Sequence, residues 1–204
     1  MTRNKSVLIM AECAVMVALA TVLSLISFGF PQGGSITLLS MLPILLVSYR
    51  RGVKVGVVTG FLYAVIQLLL GLKNLSYLPT ASGVVLCILL DYILPFSAIG
   101  LGGMFRSVRL SKNETANRVL TLILGAVIVI LFRYLCHILS GVVIWYALDR
   151  EWYADDPAHM VFRYGAWAFS VIYNGSFMIP ELVLTTAGAA AVGSVKQIAQ
   201  PVQS

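Results

Sequence analysis

The stretch Arg133–Trp145, RYLCHILSGVVIW, sets a guanidinium, an imidazole and an indole inside one long apolar run. The surrounding chain has a mean hydropathy of +0.93 and only 11% charged residues, against roughly 25% in soluble domains. The run therefore reads as membrane-embedded, where an ionisable group is costly and marks a functional or a paired position. Arg133, His137, Gly141 and Trp145 recur at every fourth residue, which lays them along one slowly drifting helix face.

Outward from this stretch, the apolar runs are long and are parted by charges and Gly/Pro clusters rather than by strand-like alternation. That favours helices over a barrel. The predicted fold is an all-α integral membrane protein with a single domain over residues 1–204. Its six transmembrane helices are expected near residues 6–28, 38–49, 52–71, 82–103, 119–148 and 161–192. The first run exceeds the apolar core of a signal peptide, about 7–15 residues, and no small-residue cleavage site follows, so it reads as a retained helix. The basic clusters are Arg3/Lys5, Arg50/Arg51/Lys54, Arg106/Arg109/Lys112/Arg118 and Lys196. They alternate with the uncharged segment 29–37, the segment 72–80 with only Lys73, and the acidic segment 149–156. By the positive-inside rule both termini are cytoplasmic. Bases confined to juxtamembrane clusters argue against nucleic-acid binding.

Along the chain, Ala14 and Ala18 form a small-xxx-small pair that admits close helix approach, and Glu12 reads as a structural or interfacial carboxylate. Residues 29–37, with Pro31 and Gly33–Gly34, read as an outer loop. The second helix, with Pro43 inside it, is about 12 residues and rises only ~18 Å. It is thus tilted, buried in protein, or continued by irregular wall. Pro95, four residues after Asp91, can kink the fourth helix. Residues 105–118 read as a solvated connection. Trp152 and Tyr153 suit an interface. Cys13, Cys87 and Cys136 have no metal-ligand spacing and read as small apolar core residues.

Counted from the expected helix ends, Tyr63, Asp91, His137 and Asn174 lie about 12–20 Å deep at 1.5 Å per residue. A carboxylate, an imidazole and a carboxamide at one level suggest a polar ligand pocket. Each has a plainer role open to it: Asp91 and Asn174 can join helices, His137 can donate to a carbonyl, and Tyr63, Phe169 and Trp145 can be packing. Arg133 can pair with Glu181 or Asp91, or snorkel; it reads as the counter-charge of the floor rather than a contact. As a ligand set, Asp91 suits a cation or an amino group. His137 and Asn174 donate and accept, and Trp145, Tyr92 and Tyr63 offer π faces. A flat, cationic, hydrogen-bonding heteroaromatic fits. No Walker A motif, zinc-ligand pattern or Ser/Cys nucleophile arrangement is present, so no cofactor, metal or catalytic residue is expected.

The stretches LSMLPILLVSYRRG (39–52), GFLYAVIQLLLG (60–71), LLDY (89–92), RYLCHILSGVVIW and Asn174–Gly175 together resemble the thiamine-specific S-component of energy-coupling factor transporters, over nearly the whole chain. The resemblance implies six helices and a thiamine pocket on the outer side, gated by the loops after the first and fifth helices. It also implies energy from a separate module of two ATPases and a transmembrane coupling subunit. By the same resemblance, Tyr63, Asp91, Tyr92, His137, Trp145 and Asn174 fall on binding positions, and Ala14 and Ala18 on the face that docks on the coupling subunit. The family's best-known members have Trp at Tyr63, Glu at Asp91, Tyr at Phe169, and an aromatic and an acidic residue at Gly34 and Leu38. The expected function is the substrate-binding subunit of a vitamin uptake transporter in a prokaryotic plasma membrane, for thiamine. The alternatives are a related vitamin or the thiamine pyrimidine, or a membrane-embedded enzyme or structural protein whose polar cluster only joins helices.

Overall fold

The computed structural model describes residues 2–30 and 33–202, with side chains from Lys5 onward; Pro31 lies outside them. Five helices are long and apolar enough to cross a membrane: α1 (Thr2–Leu25), α3 (Val53–Leu70), α4 (Ala81–Phe105), α5 (Glu114–Trp152) and α6 (Ala166–Ser194). Between α1 and α3 lies α2 (Leu42–Arg51), ten residues long.

The expected loop at 29–37 and the start of the second helix are both different from the reading above. Ser27–Gly29 (β1) and Ser35–Thr37 (β2) pair antiparallel, with Phe28 opposite Ile36. The second helix begins only at Leu42, so Pro43 sits in its first turn, where the missing N–H would be unbonded anyway. Leu39 makes the join at φ 59°, a left-handed conformation that a branched side chain rarely takes. Every residue from Leu42 to Tyr49 is buried. An α2 of this length rises about 15 Å and is wrapped by its longer neighbours.

Small residues set the spacing around α2. The backbones of Gly56 and Gly100 meet with no room for a Cβ on either, and Gly125 packs in the same way on Gly102. The Ser48 hydroxyl donates to the Gly100 carbonyl and accepts from the Gly103 N–H at 2.9 Å. The Tyr49 hydroxyl meets Thr121 Oγ1 at 2.9 Å. Glu12 on α1 pairs with Arg50 Nε at 2.7 Å and with the Arg51 guanidinium. Cys87 and Cys136 are buried, and Cys13 is half-buried.

Two long helices are locally unwound. α4 runs as α-helix to Cys87, widens to a π-helical turn over Ile88–Ile93, and tightens to 3₁₀ over Ile99–Phe105. α5 has a π-helical turn at Gly141–Trp145. It starts earlier than expected, because Asn113 caps it by accepting from the Ala116 N–H at 3.0 Å. Residues 114–118 are therefore helix, not solvated loop. A separate turn, Met160–Arg163, precedes α6.

Candidate ligand-binding site

One end of the bundle encloses a cavity of about 430 Å³, within the size range of small-molecule sites. The ends of α1 and α3, the β1–β2 hairpin, and the middles of α4, α5 and α6 all line it.

Its polar centre is Asp91. Pro95 lies four residues on; its ring would clash with the Asp91 carbonyl in a regular helix. The π-helical turn at Ile88–Ile93 relieves that clash and turns Asp91 toward α5. Such turns are frequent at functional sites. Asp91 Oδ1 lies 3.0 Å from His137 Nδ1. Asp91 Oδ2 accepts from Ser140 Oγ at 2.6 Å, from Trp145 Nε1 at 3.0 Å and from the Cys87 thiol at 3.4 Å. One carboxylate thus orients an imidazole and an indole, and the second π-helical turn brings the indole within reach. With Nδ1–H given to Asp91, a neutral His137 keeps Nε2 as an acceptor.

Asn174 joins helices and also faces the cavity. Its Nδ2 donates to the His137 carbonyl at 3.2 Å and to the Ser170 carbonyl at 2.9 Å. Ser170 Oγ donates in turn to the Ile138 carbonyl at 2.8 Å. Gly141 lies beneath this contact, with no space for a Cβ against Ser170. Tyr92 is a buried wall whose hydroxyl donates to the Gly71 carbonyl at 3.2 Å and accepts from Asn74 at 3.1 Å.

The aromatic wall comes mostly from α6. Phe169, Tyr173 and Phe177 follow one another at i+4 spacing, with ring centroids 6.1 and 5.8 Å apart. His137 meets Phe177 edge-on at 6.0 Å, and Trp145 lies 6.4 Å from Trp152.

Of the residues expected at the site, Asp91, Tyr92, His137, Trp145, Phe169 and Asn174 line the cavity together. Tyr63 does not. It is fully buried in the core, edge-on to Phe96 at 5.4 Å, and its hydroxyl has no hydrogen-bond partner among the described residues. Position along the helix does not give the side of α3 on which Tyr63 sits. Arg133 departs in the other direction. It lines the cavity and has no carboxylate within ion-pair distance among the described residues. Its guanidinium lies over the Phe96 ring at 4.4 Å, with Nη1 2.6 Å from Met41 Sδ. Glu181 is elsewhere engaged: Oε1 accepts from both the N–H and the hydroxyl of Thr37 in β2. Many other lining residues stand outside the expected set, Tyr173, Phe177, Gln67 and Asp149 among them. Tyr173 and Phe177 carry an i+4 aromatic row as a signal, and Gln67 shares a helix with Tyr63. Asp149, only 1% exposed, stands at the end of an apolar run, where acids are ordinarily solvated. Ala14 and Ala18 lie exposed on α1.

A half-buried carboxylate, an imidazole and an aromatic wall around a cavity at one end of an apolar helical bundle make up the kind of site that suits a small polar molecule in a membrane protein. The family model described as thiamine transporter protein (Thia_YuaJ) matches residues 10–197. The thiamine transporter ThiT of Bacillus subtilis is 32% identical over 190 residues, covering 90% of this chain and 89% of that protein. ThiT of Lacticaseibacillus paracasei is 26% identical over 191 residues, with 91% and 86% covered. A solved structure of ThiT from Listeria monocytogenes superposes with a TM-score of 0.70 at 27% identity, over 93% of this chain and 95% of that one. The chain therefore belongs to the thiamine transporter protein family. Its members are transporters rather than enzymes, and it is a multi-pass protein of a prokaryotic plasma membrane.

Proposed function

We propose that this chain is the substrate-binding membrane subunit of a vitamin uptake transporter, taking thiamine from the outer side. In this reading it is one six-helix membrane domain with α2 as the short sixth helix and both termini in the cytoplasm. The ligand contacts are Asp91, Tyr92, His137, Trp145, Phe169 and Asn174, with Arg133 at the floor. Energy comes from a separate coupling subunit and two ATPase subunits, docked on the Ala14/Ala18 face of α1.

The observation that carries the reading is the Asp91 carboxylate at the centre of an aromatic-walled cavity. A fixed negative charge and π faces suit a cationic heteroaromatic. Asp91 being shorter than the Glu of better-known members, its carboxylate is drawn against α5, where it orients His137 and Trp145. The hairpin residue Gly34, where those members carry an aromatic, has its missing Cβ position 2.5 Å from the Phe177 ring. Phe177 thus supplies from α6 an aromatic face at the place the hairpin leaves bare.

The test is titration of the purified protein with thiamine, followed by tryptophan fluorescence. Saturable quenching is expected, largely lost in Trp145→Phe. No quenching and no thermal shift at millimolar thiamine would remove the thiamine assignment.

A further inference from the structure

The opposite end of the bundle holds a second depression, about 510 Å³, that thiamine binding leaves unused. The ends of α2 and α4, the connection 106–113, the first turns of α5 and the segment after α6 meet there. Five cations line it, Arg106, Arg109, Lys112, Arg118 and Lys196, against one carboxylate, Glu114. None of the five has a carboxylate within ion-pair distance among the described residues. Arg118 is partly committed, with Nε donating to the Gly193 carbonyl at 3.3 Å and Nη2 to Thr115 Oγ1 at 3.0 Å. Arg106 Nη1 is enclosed beside Gly52 and has no acceptor among the described residues.

Basic residues that only set topology need nothing but water around them. Five cations around one depression, without an ion pair among the described residues, repel one another, and a phosphate among them would offset that repulsion in the geometry that guanidinium prefers. The surroundings narrow the source of that phosphate. Exposed apolar side chains alternate with the bases: Met104, Val108 and Leu110 run alongside Arg106, Arg109 and Lys112, and Val195 and Ile198 flank Lys196. Free phosphate or an acidic protein segment would use the cations and leave that apolar row uncovered. A phospholipid uses both.

We propose that this groove is a binding site for an anionic phospholipid, its phosphate held by Arg106, Arg109, Lys112 and Arg118 and its acyl chains along Val108 and Leu110. Basic pockets between helices at the cytoplasmic boundary hold headgroups in this way.

The test uses the full chain in detergent. Native mass spectrometry and thermal unfolding are followed with phosphatidylglycerol, with phosphatidylcholine of the same acyl chains, and with inorganic phosphate. Phosphatidylglycerol is expected to stay bound and to raise the unfolding temperature well above the effect of the other two. Arg109 and Lys112 are exposed, so the double variant Arg109→Gln/Lys112→Gln should fold normally. It should weaken phosphatidylglycerol binding roughly 25-fold, at about fivefold per basic residue. Thiamine binding should be unchanged in it. The control Arg150→Gln/Arg163→Gln, at the other end of the bundle, should leave lipid binding unchanged. Equal effects of the two lipids overturn the proposal. Inorganic phosphate matching phosphatidylglycerol makes the groove an anion site without a lipid role, and overturns it as well. An unaffected 109/112 variant, or a control as damaging as that variant, overturns the location.

Discussion

Asp91 takes four donors on two oxygens, and three of them belong to α5. An amide cannot replace it. In Asp91→Asn one oxygen becomes an NH₂, which then faces either the Trp145 and Ser140 donors or the His137 ring. Hydrogen bonds to a charged group are worth about 1.5–3 kcal/mol each, and the cation loses its counter-charge. Thiamine affinity should fall at least about tenfold by calorimetry; an unchanged dissociation constant would show that the carboxylate has no part in binding. Tyr63 makes the opposite case. Its hydroxyl is enclosed without a partner, so Tyr63→Phe removes a group that contributes no hydrogen bond. Thiamine affinity should stay within about 0.5 kcal/mol of the parent, the usual range for changes that break no contact, and the unfolding temperature should stay level or rise, because an enclosed polar group without a partner is removed. A tenfold loss of affinity would restore Tyr63 to the ligand set. The contrast explains what was legible residue by residue. Asp91, His137 and Asn174 stand out because polar groups in an apolar run need a reason. Phe177 and Tyr173 do not, since an aromatic in a membrane helix costs nothing. For Tyr63 and Arg133, a few tens of degrees of helix rotation decide between core and cavity, and spacing along the helix does not give that rotation.

Among the elements, the long helices were legible from hydropathy alone. The hairpin and the two π-helical turns were not. Strands of three residues carry too little periodicity to show, and only Pro95 hints at the unwinding of α4. The hairpin matters because Ser27, Gly33, Gly34 and Ser35 line the cavity, and its hold on the bundle is specific. Glu181 on α6 accepts both the N–H and the hydroxyl of Thr37. Thr37 is followed two residues later by Leu39 in its left-handed conformation, whose side chain packs on Gly188. Glu181→Ala removes the one oxygen that accepts both hydrogen bonds and loosens β2 from α6. Stopped-flow tryptophan fluorescence should then show thiamine leaving at least about tenfold faster, from the loss of hydrogen bonds to a charge, with a smaller change in the association rate. Equal slowing of association and unchanged release would mean that Glu181 shapes the cavity rather than holding its cover.

At the scale of the molecule, α1 is the outlying helix. Only Val17 and Ala20 of its described side chains are fully buried. Polar clamps secure it at its middle and near its C-terminal end: Glu12 to Arg50 and Arg51, and Ser24 to Gln67 across 2.9 Å. Between them Ala14 and Ala18 face outward beside Val15 and Leu19. Such a face lets another helix come close with no side chain in between, and a large ring there would hold a partner away. Ala14 stands ten residues from Ser24, the first of the α1 residues that line the cavity, about 15 Å along the helix. Ala14→Trp should therefore abolish co-purification with the coupling subunit while leaving thiamine quenching of Trp145 unaltered. Ala14→Gly, which keeps the face smooth, should retain association. Loss of thiamine binding together with association would show that α1 had lost its packing on the bundle, and the docking role would fall; association that survives the tryptophan would place the coupling subunit on another face.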